Sequence, residues 1–352
     1  MNDAVSISNF RKIFGENLFR STSEEYYDWK IFRNPYHKGK IFLERKEGMV
    51  VGSFTITPKK ISIHGKELLA AETGDAFTHS QFRRRGISTK LRISSTKFAL
   101  NEGIQVVYGI PNSQSLSVSK KTDRLPCPFV RLSLMTKPLR ILRTIVISII
   151  KLLLGRKLDV PISFLFAMLK QKLYSSIFSR SKGNATNKSF SIFTLDKFTD
   201  EIDGLWGSPR YIFFTIRDKT YLNWRYCENP DEYQIIVAKS GNEYLGYVVT
   251  KISKNGKAAL ICDFITVDDR LDVFNALIQK AEEMIEKAGV HWIQLWCVDS
   301  SPYHQALLSQ AYYDRGLAFR QPVVVFSGTD YGKTLLEEDG KWHFTLADSD
   351  NI

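Results

Sequence analysis

The chain has 352 residues and a mass of 40.4 kDa, more than the roughly 100–200 residues typical of one domain, so two domains are expected. Hydrophobic residues make up 43% of it, with 21 glycines and 11 prolines, which excludes collagen-like and low-complexity classes. The formal net charge of +12 points to an anionic partner. The four cysteines are scattered without a C-x-x-C pair, which argues against a disulfide framework or a zinc site and fits a reducing compartment.

The first residues, MNDAVSISNFRKIFGENLF, lack the basic start, apolar stretch and cleavage site of a secretory signal, so a cytoplasmic location is expected. The segment Tyr26-Tyr27-Asp28-Trp29-Lys30-Ile31-Phe32-Arg33-Asn34-Pro35 then recurs as Tyr221-Leu222-Asn223-Trp224-Arg225-Tyr226-Cys227-Glu228-Asn229-Pro230. An aromatic three before Trp, a base after it and a closing Asn-Pro keep register in both copies. Each copy continues into a strand pair carrying a glycine, Gly52 or Gly246, then an amphipathic helix and a short apolar strand, 106–110 or 292–298. Two copies of one α/β unit account for the pattern, with expected boundaries of 1–135 and 190–352.

Between them, residues 136–189 form a basic insert and linker. From Lys137 to Lys188 there are eleven basic residues against one acid, Asp159, a net charge of +10. The run 139–154, bounded by Pro138 and Gly155, predicts a helix whose basic residues Arg140, Arg143 and Lys151 share one narrow arc. It is shorter than the ~20 apolar residues that span a bilayer. A second apolar-basic stretch opens at Pro161. Two readings stand: docking on an anionic membrane surface, or packing against the two domains. The block lacks interleaved base-stacking aromatics, so nucleic acid is not the expected partner.

A third feature is the turn in Glu72-Thr73-Gly74-Asp75-Ala76-Phe77-Thr78-His79-Ser80-Gln81-Phe82-Arg83-Arg84-Arg85-Gly86-Ile87-Ser88-Thr89-Lys90-Leu91. A strand enters three arginines and a glycine, and an amphipathic helix follows. The unpaired N–H groups and positive dipole end of a helix N-terminus suit a pyrophosphate. These residues resemble the acetyl-CoA loop of the GCN5-related N-acetyltransferase (GNAT) family, Arg/Gln-x-x-Gly-x-Gly/Ala, with Ser88 departing at the last small position. The resemblance implies that Arg83, Arg84, Arg85, Gly86, Ile87, Ser88 and Thr89 hold the pyrophosphate of acetyl-CoA. It also implies that the strand end Ala76, Phe77 and Thr78 meets the acetyl and pantetheine portion, and that Asn112 contacts the cofactor. In the second copy the matching place carries Asp268, Asp269 and Asp272, which would cap the helix and repel phosphate, so only the first copy is expected to bind acetyl-CoA.

Acetyl transfer to an amine needs a base. The candidates are Glu72 and Asp75 on the strand, where the family often keeps a carboxylate, and His79 before the loop. Strand alternation predicts that Glu72 and Asp75 face opposite sides. The position of the family's thiolate-protonating Tyr falls on Ser119, so no acid is assigned, and Tyr312 reads as a packing residue. The doubled unit and the ending Trp342-His343-Phe344-Thr345-Leu346-Ala347-Asp348-Ser349-Asp350 also resemble tandem GNAT-like proteins associated with bacterial surface-polysaccharide synthesis.

The expected protein is therefore an α/β (α+β) chain of two tandem GNAT-like domains. Each is a mixed, mostly antiparallel sheet flanked by helices, with the basic insert between them. The resemblance implies an acetyl-CoA-dependent N-acetyltransferase acting on a small amine such as an amino sugar or sugar nucleotide, with no metal. It would be cytoplasmic or peripheral at the inner face of the membrane. The alternative is a non-catalytic scaffold or membrane-surface protein. For Asp348 and Asp350 the resemblance implies contact with the acceptor's amine or hydroxyls, whereas the residues themselves read as a solvated acidic tail, the reading preferred.

Overall fold

The computed structural model describes residues 21–156, 161–166, 168–169, 189–206, 210–315, 322–326 and 329–349. The repeated segment folds the same way twice. In the first copy Ser23 caps a helical turn, α1 (Glu24–Tyr27), that widens into a π-turn over Asp28–Phe32. In the second, Asp218 caps Lys219–Leu222, which widens over Asn223–Cys227. Ser and Asp accept from the free N–H groups of a first turn, which is why each turn starts where it does. After each turn the Asn side chain accepts from the backbone two residues on: Asn34 from Tyr36 and Asn229 from Asp231.

In the first copy β1 (Lys40–Lys46), β2 (Met49–Ile63) and β3 (Lys66–Thr78) form an antiparallel meander. Helix α2 (Ile87–Asn101) then leads to β4 (Val106–Gly109), parallel to β3. After β6 (Ser191–Leu195) and β7 (Phe213–Thr215), which pairs with β2, the second copy repeats this with β8 (Gln234–Ser240), β9 (Glu243–Ile252), β10 (Ala258–Thr266), the helix Leu271–Lys287 and β11 (Trp292–Val298), parallel to β10; β6 pairs with β8. Gly52 lies opposite Thr78 and Gly246 opposite Thr266, and the register slips just beyond each glycine's other partner, at Glu44/Arg45 and at Ala238/Lys239. A Cβ on Gly52 would stand 2.5 Å from Ile87 Cγ2; the glycine lets the start of α2 settle on β2.

The two copies are laced together by exchanged strands. β5 (Arg124–Pro138) pairs through its first half with β13 (Pro322–Phe326) and through its second half with β11. β13, near the C-terminus, inserts between β4 and β5. With β12 (Tyr313–Asp314), which pairs with β5, strands of both copies thus join one continuous sheet of 13 strands among the described residues. Residue 135 falls inside β5, so the expected boundary at 135/136 is not a break between two sheets. The sheet is mixed and mostly antiparallel, with helices on its faces.

The insert begins as expected with a helix, Ile141–Leu153, whose Ile141 and Ile145 pack on Leu165 and Met168. No helix among the described residues is long and apolar enough to cross a membrane. The linker 179–189 lies almost wholly outside the described residues.

Candidate functional site

β3 and β4 run in register only from Ala70/Val106 to Glu72/Tyr108 and then part. Gly109 ends β4 against Thr73: a Cβ there would meet Thr73 Oγ1 at 2.5 Å. Beyond this point the wedge opens into a cavity of about 230 Å³. Its walls are β3 from Glu72 to Ala76, the segment Gly109–Asn112, and Phe54, Arg92, Ser115, Ser119, Arg124 and Ser349.

Glu72 and Asp75 both line this cavity, which corrects the expectation that they face opposite sides. The register of β2 and β3 shifts between Ser53 and Thr55, and Asp75 takes a left-handed φ of 46°. This bulge adds one residue and turns Asp75 to the face that Glu72 already occupies. The partners agree: Asp75 Oδ2 accepts from Lys30 Nζ at 2.7 Å and Thr55 Oγ1 at 3.2 Å, and Glu72 Oε2 meets Lys59 Nζ at 2.8 Å. All four ionic side chains are no more than 5% exposed. Burial opposes the charge on Lys59, yet Glu72 and its other neighbours hold its ammonium above the usual lysine range.

The arginine turn follows β3, whose residues Glu72 to Ala76 line the cavity, and starts α2, which reaches the cavity at Arg92. Arg84 and Gly86 both have positive φ, 62° and 76°, and Gly86 is the N-cap of α2 with no side-chain cap. The first intrahelical bond at this end runs from Lys90 N to Gly86 O. The amides of the first turn are therefore offered to a ligand rather than to a side chain, and an anion fits them. Arg83, Arg84 and Arg85 are exposed. His79 does not line the cavity; its Nδ1 accepts from Gln81 N in the short helix Ser80–Phe82, and its ring packs on Phe82. Asn112 lines the cavity and caps the helix Ser113–Lys120, its Oδ1 accepting from Ser115 N at 2.8 Å.

Several site residues escaped the sequence reading. Lys30 is the base that follows Trp in the repeat, and Lys59 is a lysine in an otherwise largely buried strand. Arg92 sits on the buried stripe of α2 with Leu91, Ser95 and Ala99, and Arg124 opens β5. Burial lowers the pKa of Arg92 to about 10, and burial together with Arg92 lowers that of Arg124 to about 9. A charged residue on an apolar stripe is the signal that would have found them.

The equivalent wedge of the second copy is filled by the chain's own end. The turn Leu346–Asp348 packs on β10 and β11, and the ring of His343 lies among Phe264, Tyr303, Tyr211 and Trp206. Asp348 is wholly buried rather than part of a solvated tail: Arg217 Nη2 donates to it at 2.6 Å, and the same guanidinium pairs with Asp263. Asp350 lies outside the described residues. The three aspartates also act otherwise than as caps. Asp268 pairs with Arg210, Asp269 accepts from the hydroxyls of Tyr211 and Tyr303, and Asp272 pairs with Arg270, which is itself the uncapped N-cap. Tyr312 is buried in the second core beneath Lys137.

Residues 9–119 match the sequence family described as acetyltransferase (GNAT) domain. No curated protein matches the sequence. Among solved structures the chain is similar to a tandem GNAT protein from the clavulanic acid biosynthesis pathway, at 12% identity over 92% of this chain and 95% of that one, with a TM-score of 0.56. It is similar to N-myristoyltransferase of Saccharomyces cerevisiae with bound myristoyl-CoA, at 11% identity over 91% and 79%, TM-score 0.58. It is also similar to a GCN5-related N-acetyltransferase from Anabaena variabilis ATCC 29413, at 11% identity over 92% and 70%, TM-score 0.55. The architecture is the GNAT fold in tandem, a fold used for acyl transfer.

Proposed function

We propose that the chain is an acetyl-CoA-dependent N-acetyltransferase whose first copy carries the reaction and whose acceptor is a small amine. The observation that carries this reading is the uncapped start of α2, with Gly86 at φ 76°, on the helix whose Arg92 lines the opened β3/β4 wedge. The amides of Gly86, Ile87, Ser88 and Thr89 would hold the pyrophosphate, with Arg83, Arg84 and Arg85 adding charge. Ala76, Phe77, Thr78 and Asn112 would border the pantetheine arm. The bound thioester supplies an activated acyl carbon.

Glu72 accepts the proton of the attacking amine as the C–N bond forms and the C–S bond breaks. Asp75, tied to Lys30 and Thr55, holds the bulge that shapes the wall. A small cavity lined by charged and polar groups suits a short acyl group, because a long apolar chain would strip these groups of water without replacing their bonds. The second copy, its wedge filled, serves as scaffold. The resemblance to polysaccharide-associated proteins makes an amino sugar or sugar nucleotide the acceptor class to try first.

Calorimetric titration with acetyl-CoA tests this reading, with Gly86→Glu alongside. Binding by the parent and its loss in the variant supports it; no binding by the parent overturns it.

A second reading concerns location. The helix Ile141–Leu153 and the residue after it expose Val146, Ile147, Ile149, Ile150, Leu152, Leu153 and Leu154 among the described residues, beside Lys151 and Arg156. An apolar face with basic neighbours suits an anionic membrane surface, which would hold the protein at the cytoplasmic face.

A further inference from the structure

The cavity lining carries two carboxylates and two guanidinium groups, but the carboxylates are already paired to lysines outside the lining. Glu72 and Asp75 are matched by Lys59 and Lys30. Arg92 and Arg124 also line it, are 5% and 2% exposed, and form no salt bridge among the described residues. Their guanidinium carbons lie over the same ring, Phe54, at 5.0 and 5.2 Å. Arg92 Nη1 donates to Ser119 Oγ at 3.1 Å, and Arg124 Nη2 donates to Ser95 Oγ, Thr96 Oγ1 and the carbonyl of Arg92. Arg92 Nε and Arg124 Nε and Nη1 are buried without a hydrogen-bond partner among the described residues.

Two neighbouring cations withdrawn from water, with donors left over, form an arrangement that folding alone disfavours. An anion in the cavity relieves it, and two adjacent guanidinium groups suit an oxyanion. This place is not the helix N-terminus: Arg92 lies six residues beyond Gly86, about 9 Å further along the helix axis. The cavity that Arg92 and Arg124 line takes in neither the arginine turn nor the first turn of α2, so the two places are separate parts of the surface.

We propose that Arg92 and Arg124 bind an oxyanion, carboxylate or phosphate, carried by the substrate that fills this cavity. The substrate is then either an acyl donor with a carboxylate on its acyl group or an amine acceptor with an anionic group. The oxyanion site stands on the arginines alone; its assignment to a substrate rests on the acyl-transfer reading.

The test is calorimetry at fixed ionic strength on the full chain, Arg92→Met and Arg124→Met, with succinate, inorganic phosphate, acetyl-CoA and succinyl-CoA as probes. The parent is expected to bind a free oxyanion, or to bind succinyl-CoA at least tenfold tighter than acetyl-CoA. Either preference should fall tenfold or more in each variant, while acetyl-CoA affinity shifts less than threefold. A succinyl-CoA preference assigns the oxyanion to the acyl group. Free-oxyanion binding that persists under saturating acetyl-CoA assigns it to the acceptor.

Variants that bind every probe like the parent, or a parent that binds neither free oxyanion and shows no succinyl-CoA preference, overturn the proposal. Arginine-dependent oxyanion binding without acetyl-CoA binding would retain this site and sink the acetyltransferase reading instead. Should a methionine variant fail to fold, Arg92→Lys and Arg124→Lys, which keep the charge but not the planar fork, decide: oxyanion binding or succinyl-CoA preference weakened in them supports the site, and values equal to the parent's overturn it.

Discussion

Trp29 and Trp224, equivalent positions of the two copies, stack on each other with ring centroids 4.7 Å apart and planes 21° from parallel, and Trp29 Nε1 donates to the backbone oxygen of Trp224 at 2.9 Å. The repeated segment therefore meets itself in one buried cluster. Around the pair, Tyr26, Tyr27, Tyr221 and Leu222 form a core shared by both copies. Lys30, next to Trp29, reaches Asp75 in the cavity wall, so the same contact that joins the copies also supports the site.

Trp29→Ala is expected to destabilise the chain by about 3–5 kcal/mol, the range for a buried aromatic truncated to alanine. A cycle with Trp224→Ala should show a coupling of roughly 0.5–1.5 kcal/mol from the stack. Urea unfolding of the four proteins measures both, and additive effects would mean that the copies are not coupled here.

Gly86→Glu should weaken acetyl-CoA binding at least tenfold while leaving the fold largely intact. A Cβ at Gly86 meets nothing within 4 Å, so the folding penalty is confined to its positive φ, about 1–2 kcal/mol. Calorimetry and thermal unfolding read the two effects separately.

Glu72→Gln should lower kcat by roughly 10²–10⁴ if Glu72 takes the proton, with acetyl-CoA affinity little changed. The substitution also deprives Lys59 of its buried counter-charge and so destabilises the chain. Glu72→Gln combined with Lys59→Met should recover stability but not activity. Recovery of both would assign Glu72 a purely structural part.

Below pH 6.5 stability should fall because of His343. Burial first, then Arg217, push its pKa down to about 3, while the unfolded chain titrates near 6.5. Between these values the unfolded state holds a proton that the native state refuses, so acid favours unfolding; from pH 6.5 to 5 the loss is about 2 kcal/mol. Urea midpoints at pH 7 and pH 5 should show it in the parent. His343→Gln should be flatter over that window, and an equal slope in both proteins would assign the acid sensitivity elsewhere.

Serine at Ile147, Ile150 and Leu153, which are 42%, 50% and 81% exposed, should reduce sedimentation with phosphatidylserine vesicles without lowering thermal stability. Added salt should reduce parent binding as well. Unchanged vesicle binding in the triple variant would remove this helix as the contact.

The doubled unit, the strand and helix order within each copy, and the arginine turn are legible in the amino-acid order, because hydrophobic period, caps and glycines act over a few residues. It also marked the helix in the basic insert. Which strand of which copy completes which sheet was decided only in three dimensions: β5 and β13 cross between copies through pairings that join residues nearly 200 positions apart. The turning of Asp75 to the face of Glu72 depends on a bulge set by register against β2, and alternation along β3 alone gives the opposite answer. The buried placement of Arg92, Arg124 and Asp348 likewise follows from long-range packing. A charged side chain looks solvated in a sequence, and only its neighbours in the fold remove the water.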